Sequence, residues 1–309
     1  MKNYRILATI LVLAAFTGCN KQKLPYDLDG VEKGVVINIH KPAGSGAAMS
    51  TDKSDVFSVI LDIPEQQGDW SMLKEAYLTA VYTHDGKKTS AAVTEGFREF
   101  PCTLQVKISD VCDKLGVSTL SVGDRIEFTP SYVLNSGTEV KGWTSLGGFN
   151  NTTFTGWKMS DGSAFSYRIS YTAFAPFVKA HFLGTGTLND GYDTQVTVTE
   201  ITELPDAVWI PAGVPSDKLI GLKLEGDIWF GGDVIKMWIN TLDYTLIIPD
   251  QVIAPSWTYP GGALGTYDGE IAECEGEIDT LNETINFYLY SVWGPYSLGD
   301  ADLVIFDIK

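Results

Sequence analysis

The sequence predicts an all-β protein: two consecutive antiparallel domains of sandwich or barrel type behind a cleaved leader. Three observations carry that prediction. Almost every periodic segment alternates apolar and polar residues with period two, as strands do when one face meets a core and the other meets water. Turn formers such as Asp85-Gly86, Asn135-Ser136-Gly137 and Gly231-Gly232-Asp233 separate these segments, which is the punctuation of sandwiches and barrels. Finally, 309 residues that are 44% apolar and 20% charged lie far from the composition of disorder and suffice for two domains.

The leader comes first. Lys2 and Arg5 precede an apolar run from Ile6 to Phe16, and Thr17-Gly18-Cys19 follows. A cationic start, a short apolar centre and small residues at its end mark a secretory signal over residues 1–18, too short to span a bilayer. The ending Phe16-Thr17-Gly18-Cys19 resembles a bacterial lipobox, which makes Cys19 the lipid anchor; the alternative is an ordinary signal peptide with an incidental cysteine. Residues 19–33 are polar, carry Pro25 and Gly30, and read as a flexible tether. No later stretch approaches 18 consecutive apolar residues, so the body is expected to be anchored, not membrane-spanning.

The first domain is expected over 34–176. Val35, Ile37 and Ile39 alternate with polar or outward positions, as do Leu104, Val106 and Ile108, and Phe165, Tyr167, Ile169 and Tyr171. One short helix is predicted at 109–116, with Ser109 as N-cap and Gly116 as terminator; the alternative is a plain loop. Thr144 to Gly162 is a poorly periodic excursion rich in Gly, Asn, Thr and Ser. Ala175-Pro176 marks the boundary. The second domain, 177–309, carries strand candidates at 178–188, 193–202, 218–225, 227–231, 233–241, 243–248, 264–274, 284–292 and 301–308. Nothing repeats at a fixed period, which argues against solenoids and propellers.

The charge balance narrows the function. With 22 Lys+Arg against 39 Asp+Glu the chain carries −17, and nucleic acid is excluded as a partner because phosphate binding needs clustered cations. Removing 1–18 takes away two cations and no acid, so attachment to a membrane must rest on acyl chains rather than on protein charge. Of the remaining cysteines, Cys102 and Cys112 are separated by a strand-like Thr103–Ile108 of about 20 Å, beyond the ~7 Å reach of a disulfide. Cys102, Cys112 and Cys274 are therefore expected as buried free thiols, and no Cys/His spacing suggests zinc.

Reaction machinery is not evident. His40, His84 and His181 form no H-E-x-x-H, and nucleophile-elbow and P-loop spacings are absent. The expectation is a non-enzymatic chain with no catalytic residue, no metal and no cofactor. Asp227, Asp233, Glu270, Glu273, Glu275 and Glu277 keep a two-carboxylate glycoside hydrolase as the lesser alternative. Asn189-Asp190-Gly191-Tyr192-Asp193 offers oxygens to calcium without the twelve-residue loop pattern, and a plain turn is preferred.

The aromatic residues suggest a ligand. Eight Trp and 14 Tyr in an exported acidic protein fit sugar recognition, in which a ring packs on a pyranose and nearby polar groups bind hydroxyls. Most Trp should be core. Two sets, Pro255-Ser256-Trp257-Thr258-Tyr259-Pro260-Gly261-Gly262 and Trp293-Gly294-Pro295-Tyr296, sit among turn formers and are expected on loops. Trp257, Tyr259, Trp293 and Tyr296 are the candidate ligand-binding residues, the alternative being aromatics tucked over a sandwich end.

Three stretches carry a family resemblance: Cys19-Asn20-Lys21; Ile108 to Gly116 followed by Leu120-Ser121-Val122-Gly123-Asp124-Arg125-Ile126-Glu127-Phe128; and Ile235-Lys236-Met237-Trp238-Ile239 to Leu246–Ile253. The chain resembles outer-membrane lipoproteins of gut Bacteroidetes, similar to accessory lipoproteins of starch-utilisation-type glycan uptake systems. The resemblance implies an Ig-like β-sandwich, then an antiparallel β-sandwich or barrel-like domain, held at the outer membrane by the acyl anchor. It implies a glycan as ligand, with a transporter or other envelope protein as the alternative partner and a structural or assembly role as the alternative function. Surface-exposed members carry acids directly after the cysteine; here Lys21 and Lys23 stand there and acids begin at Asp27, so the face of the membrane is left open. Asp279-Thr280-Leu281 also matches the short pattern that Bacteroidetes O-glycosylate.

Overall fold

A computed structural model describes residues 33–188, 193–231, 233–300 and 304–307. The signal peptide, Cys19, the tether through residue 32 and the Asn189–Tyr192 part of the calcium candidate lie outside the described residues. From Val35 the chain forms one compact unit. It is all-β, built of several sheets with one α-helix among the described residues.

Strands up to Phe174 make a sandwich. One sheet holds β1 (Asn38–His40), β3 (Val56–Asp62) and β6 (Cys102–Lys107). The other runs β2 (Ala48–Ser50), β11 (Ile169–Phe174), β7 (Arg125–Leu134), β4 (Leu73–His84), β5 (Lys87–Ala92), with β8 (Glu139–Val140) on β7. Every pairing is antiparallel except β2 with β11. Period-two alternation turns Val59, Leu61 and Val106 of the first sheet toward Leu78, Ala80, Ile126, Phe128 and Tyr171 of the second, and these form one core.

The outer face of β7 is also buried, because the segments that flank the predicted excursion, at Gly142 and at Tyr167–Arg168, fold over it. Glu127, Thr129 and Ser131 alternate with the core positions yet are buried. Thr129 donates to the Tyr167 carbonyl (2.9 Å), Gly142 N–H donates to Ser131 Oγ (2.8 Å), and Arg168 and Lys88 pair with Glu127. A small hairpin of β9 (Trp143–Thr144) and β10 (Gly148–Phe149) belongs to this cover. Its polar composition suits it to satisfying a polar sheet face rather than to filling a core.

Helix α1 spans Ile108–Leu115. It starts one residue earlier than expected, with Lys107 at the N-cap. Ser109 does not cap; its hydroxyl donates to Asp110 Oδ1 (3.2 Å). Gly116 terminates the helix in the left-handed region (φ 72°), as its lack of a Cβ permits.

Strands from Gly184 onward make a single ten-stranded sheet. In ladder order they are β16 (Leu246–Ile247), β15 (Asp233–Asn240), β14 (Leu219–Gly226), β13 (Thr194–Ile201), β12 (Gly184–Leu188), β21 (Val304–Asp307), β19 (Thr284–Trp293), β18 (Thr266–Asp279) and β17 (Gln251–Thr258), with β20 (Tyr296–Asp300) also on β19. The sheet curls so that its two halves share a core of Val196, Leu222, Ile235, Met237, Ile253, Ile271 and Phe287. Its ends are stitched at points only. Thr245 bridges Glu277, and the Gln251 amide accepts from Lys236 N–H and donates to Lys236 C=O, both at 2.8 Å. Among the described residues no ladder closes the ring, so this sheet is not a closed barrel.

Several strand limits differ from expectation. Lys179–Phe182 is a 3-10 turn before β12, and only Leu246–Ile247 of 243–248 is strand. Residues 227–231 are a loop, because the buried Asp233 carboxylate accepts the N–H groups of Ile228, Trp229 and Phe230 (3.0, 2.6 and 3.1 Å). β17 was unforeseen, since Pro255 lies inside it; it is an edge strand, where a missing N–H is tolerated. The two modules meet where Ala47 and Ala48 N–H both donate to the Leu242 carbonyl (3.0 and 3.1 Å).

Candidate functional site

The four predicted aromatics come together, but not as four loop residues. Trp257 is on β17 and Trp293 ends β19, while Tyr259 follows β17 and Tyr296 opens β20. Register assembles them: Trp257 pairs with Tyr267, Gly269 with Trp293, and Trp293 with Tyr296. Cross-strand neighbours of this kind place rings side by side on one face.

Trp293 is the hub. Its ring centroid lies 5.3 Å from Trp257, 5.9 Å from Tyr259, 5.2 Å from Tyr267 and 5.3 Å from Tyr296. It is only 1% exposed, and its indole N–H reaches the carbonyls of Trp257 and Tyr267, each at 3.2 Å. A ring so enclosed offers no face to a ligand, which corrects its expected role: Trp293 supports the site and does not line it. Trp257 is half-buried against Phe230 (5.1 Å).

The accessible rings are tyrosines. Tyr259 is 44% exposed, and Tyr267 and Tyr296 are each 38% exposed. Their hydroxyls have no hydrogen-bond partner among the described residues, whereas Thr258, Thr266 and Asp268 alternate with Trp257 and Tyr267 and so face the other side of the sheet, where the two threonines bond each other (2.7 Å) and Asp268 accepts from Ser256 N–H (2.7 Å). Tyr267 and Phe230 escaped sequence reading, which sought rings among turn formers; Tyr267 lies in a strand. Glycines seat the rings. A Cβ on Gly269 would strike the Phe230 ring (2.6 Å), and one on Gly294 would meet Tyr267 (2.5 Å). The arrangement is a rigid platform with three phenols at its rim and free donors to offer.

The carboxylate candidates fall elsewhere. Asp233 is consumed in holding its loop, and burial pushes its carboxyl up despite the three N–H donors. Asp227 and Glu270 are exposed. Glu275 and Glu277 line a cavity of about 360 Å³ with Asn286 and Tyr288, and both are exposed. Neither sits in the apolar enclosure that makes a carboxyl a general acid at neutral pH. Nothing is described of the Glu273 side chain. Thr280, proposed for modification, is buried, and Asp279 instead ties its turn by accepting from Leu281 and Asn282 N–H (2.9 and 3.0 Å).

One polar constellation was not foreseen. Buried Asp124 accepts from Tyr82 OH (2.6 Å) and Ser121 N–H (2.8 Å) and faces His84 Nδ1 (2.6 Å). Burial pushes the Asp124 carboxyl up, but the three donors outweigh it and hold it below the usual range. Asp124 raises His84 by hydrogen bond and charge, and Asp85, 3.5 Å from Nε2, adds to this. Between Asp124 on Nδ1 and Asp85 near Nε2, the ring ties the end of β4 to the residue that precedes β7.

Cys102, Cys112 and Cys274 are free thiols, and burial pushes Cys274 up to about 12. Among the described residues no group of three or more His, Cys, Asp or Glu could hold a metal, and no helix is long and apolar enough to cross a membrane. No protein-family model matches the chain, and no curated protein or solved structure shows significant similarity to it.

Proposed function

We propose that this is a lipid-anchored, non-catalytic protein of the outer membrane that binds glycans as an accessory of an uptake system of the Bacteroidetes type. The observation that carries the reading is the rim of Tyr259, Tyr267 and Tyr296, whose hydroxyls have no partner among the described residues, set on buried Trp293. Such rings give apolar area with a polar handle at small entropic cost. The lipobox-like Gly18-Cys19 supports the anchor, and the acidic balance supports attachment by acyl chains alone.

A glycan array probed with the mature chain tests the ligand. We expect at least one glycan bound by the wild type to be lost in Tyr259→Ala/Tyr296→Ala with the fold intact; a variant that keeps every glycan of the wild type at unchanged strength overturns the reading. Mass analysis of the membrane-associated protein tests the anchor, with an acylated N-terminal Cys19 expected and an unmodified one refuting it.

One observation favours the alternative of an assembly protein. Leu204, Val208 and Trp209 are exposed on the connection from β13 to β14, and grouped apolar side chains of this kind mark interaction surfaces. Blank arrays together with an envelope partner that co-purifies with the wild type, and not with Val208→Asp, would establish that role instead.

A further inference from the structure

A concavity of about 780 Å³ opens in the first module, lined by Asp69, Trp70, Ser71, Arg98, Glu99 and Phe100 among others. Its size lies in the ~300–1,000 Å³ range of small-molecule sites. We infer that it is a second carbohydrate site, taking a neutral hexopyranose unit; the class of ligand rests on the glycan reading above.

The walls are fixed before any ligand arrives. Asp69 accepts from Ser71 N–H (2.8 Å) and Ser71 OH (3.2 Å), and Asn135 Nδ2 donates to the Ser71 carbonyl (2.8 Å). On the other side Phe97 and Ala76 exchange two backbone hydrogen bonds of 2.7 Å, which pins the segment leading to Phe100. Trp70 and Phe100 meet edge to face with centroids 5.9 Å apart, both half-buried against the sandwich core. Preorganised rings of this kind give binding surface without an ordering cost.

The polar groups select the chemistry. Arg98 is exposed and makes no ion pair or hydrogen bond among the described residues, whereas Arg168 is held by Glu127. Its guanidinium presents five donors, and Glu99 presents only acceptors. Adjacent hydroxyls on a sugar need both, beside a ring that meets the C–H face. Charge then decides against acidic sugars: Asp69 and Glu99 outnumber Arg98 in the lining, inside a chain of −17.

The test is calorimetric titration of the mature chain with maltohexaose, cellohexaose, mannohexaose and a galacturonate hexamer. At least one neutral hexamer should bind Tyr259→Ala/Tyr296→Ala, and adding Arg98→Gln should weaken it about tenfold, the lower end of what one hydrogen bond from a charged group contributes. Trp70→Ala should weaken it further, with an unchanged circular dichroism spectrum reporting the fold. Loss of all neutral binding in the tyrosine variant overturns the second site and leaves the tyrosine rim standing. Binding that survives there and falls with Arg98→Gln supports the second site, while the rim is judged separately by the glycans the tyrosine variant loses. Affinity unmoved by both Arg98→Gln and Trp70→Ala, tighter binding of the galacturonate, or no neutral hexamer bound by the wild type overturns the inference.

Discussion

At Trp293 the difference between a residue that binds and one that supports is a matter of exposure. Its ring touches four other rings and its N–H is satisfied by two carbonyls, so truncation to Ala leaves a cavity and costs roughly 3–5 kcal/mol. Chemical denaturation of Trp293→Ala should show that loss, while Tyr296→Ala should cost about 1 kcal/mol and act on ligand affinity. The Asp124–His84 pair makes a second prediction. The lowered Asp124 carboxyl contributes stability above the ordinary carboxylate range, lost as pH falls through its folded value. The raised His84 contributes stability fully present below its ordinary value, near pH ~6.5, and lost as pH rises through the higher folded one. Thermal melts should therefore be highest between those limits, and Asp124→Asn should flatten both flanks.

Strand and helix ends illustrate which local signals are decisive. Gly116 was legible as a terminator because only the left-handed conformation ends the helix there, and Gly116→Ala, with open space around it, should cost about 1 kcal/mol by strain alone. Ser109 does not cap because the helix already starts at Ile108, which places Ser109 within the first turn, and its hydroxyl donates to Asp110 instead. Residues 227–231 look like a strand by apolarity, yet a carboxylate five residues on gathers their N–H groups and forbids a ladder. At the stitched ends of the large sheet, the Gln251 amide replaces a peptide group. Gln251→Ala leaves two backbone groups of Lys236 unpaired and should cost about 1–3 kcal/mol, with hydrogen exchange faster at Lys236.

For the whole molecule, the acidic excess makes a prediction independent of fold detail. A chain lacking residues 1–18 and any acyl group should not sediment with phosphatidylglycerol vesicles at 0.15 M salt, whereas the acylated protein should. The all-β class and the short helix are legible in the sequence alone. Those follow from periodicity and turn chemistry, which act between residues near in the chain. Long-range packing alone settles that the large sheet, among the described residues, stops short of closure, that Gly142 and Arg168 fold back onto Ser131 and Glu127, and that Trp293 lies beneath the tyrosines it was grouped with. These depend on which distant strands share an edge and which ring is covered by another, and exposure is a property of the packed whole that no local pattern encodes.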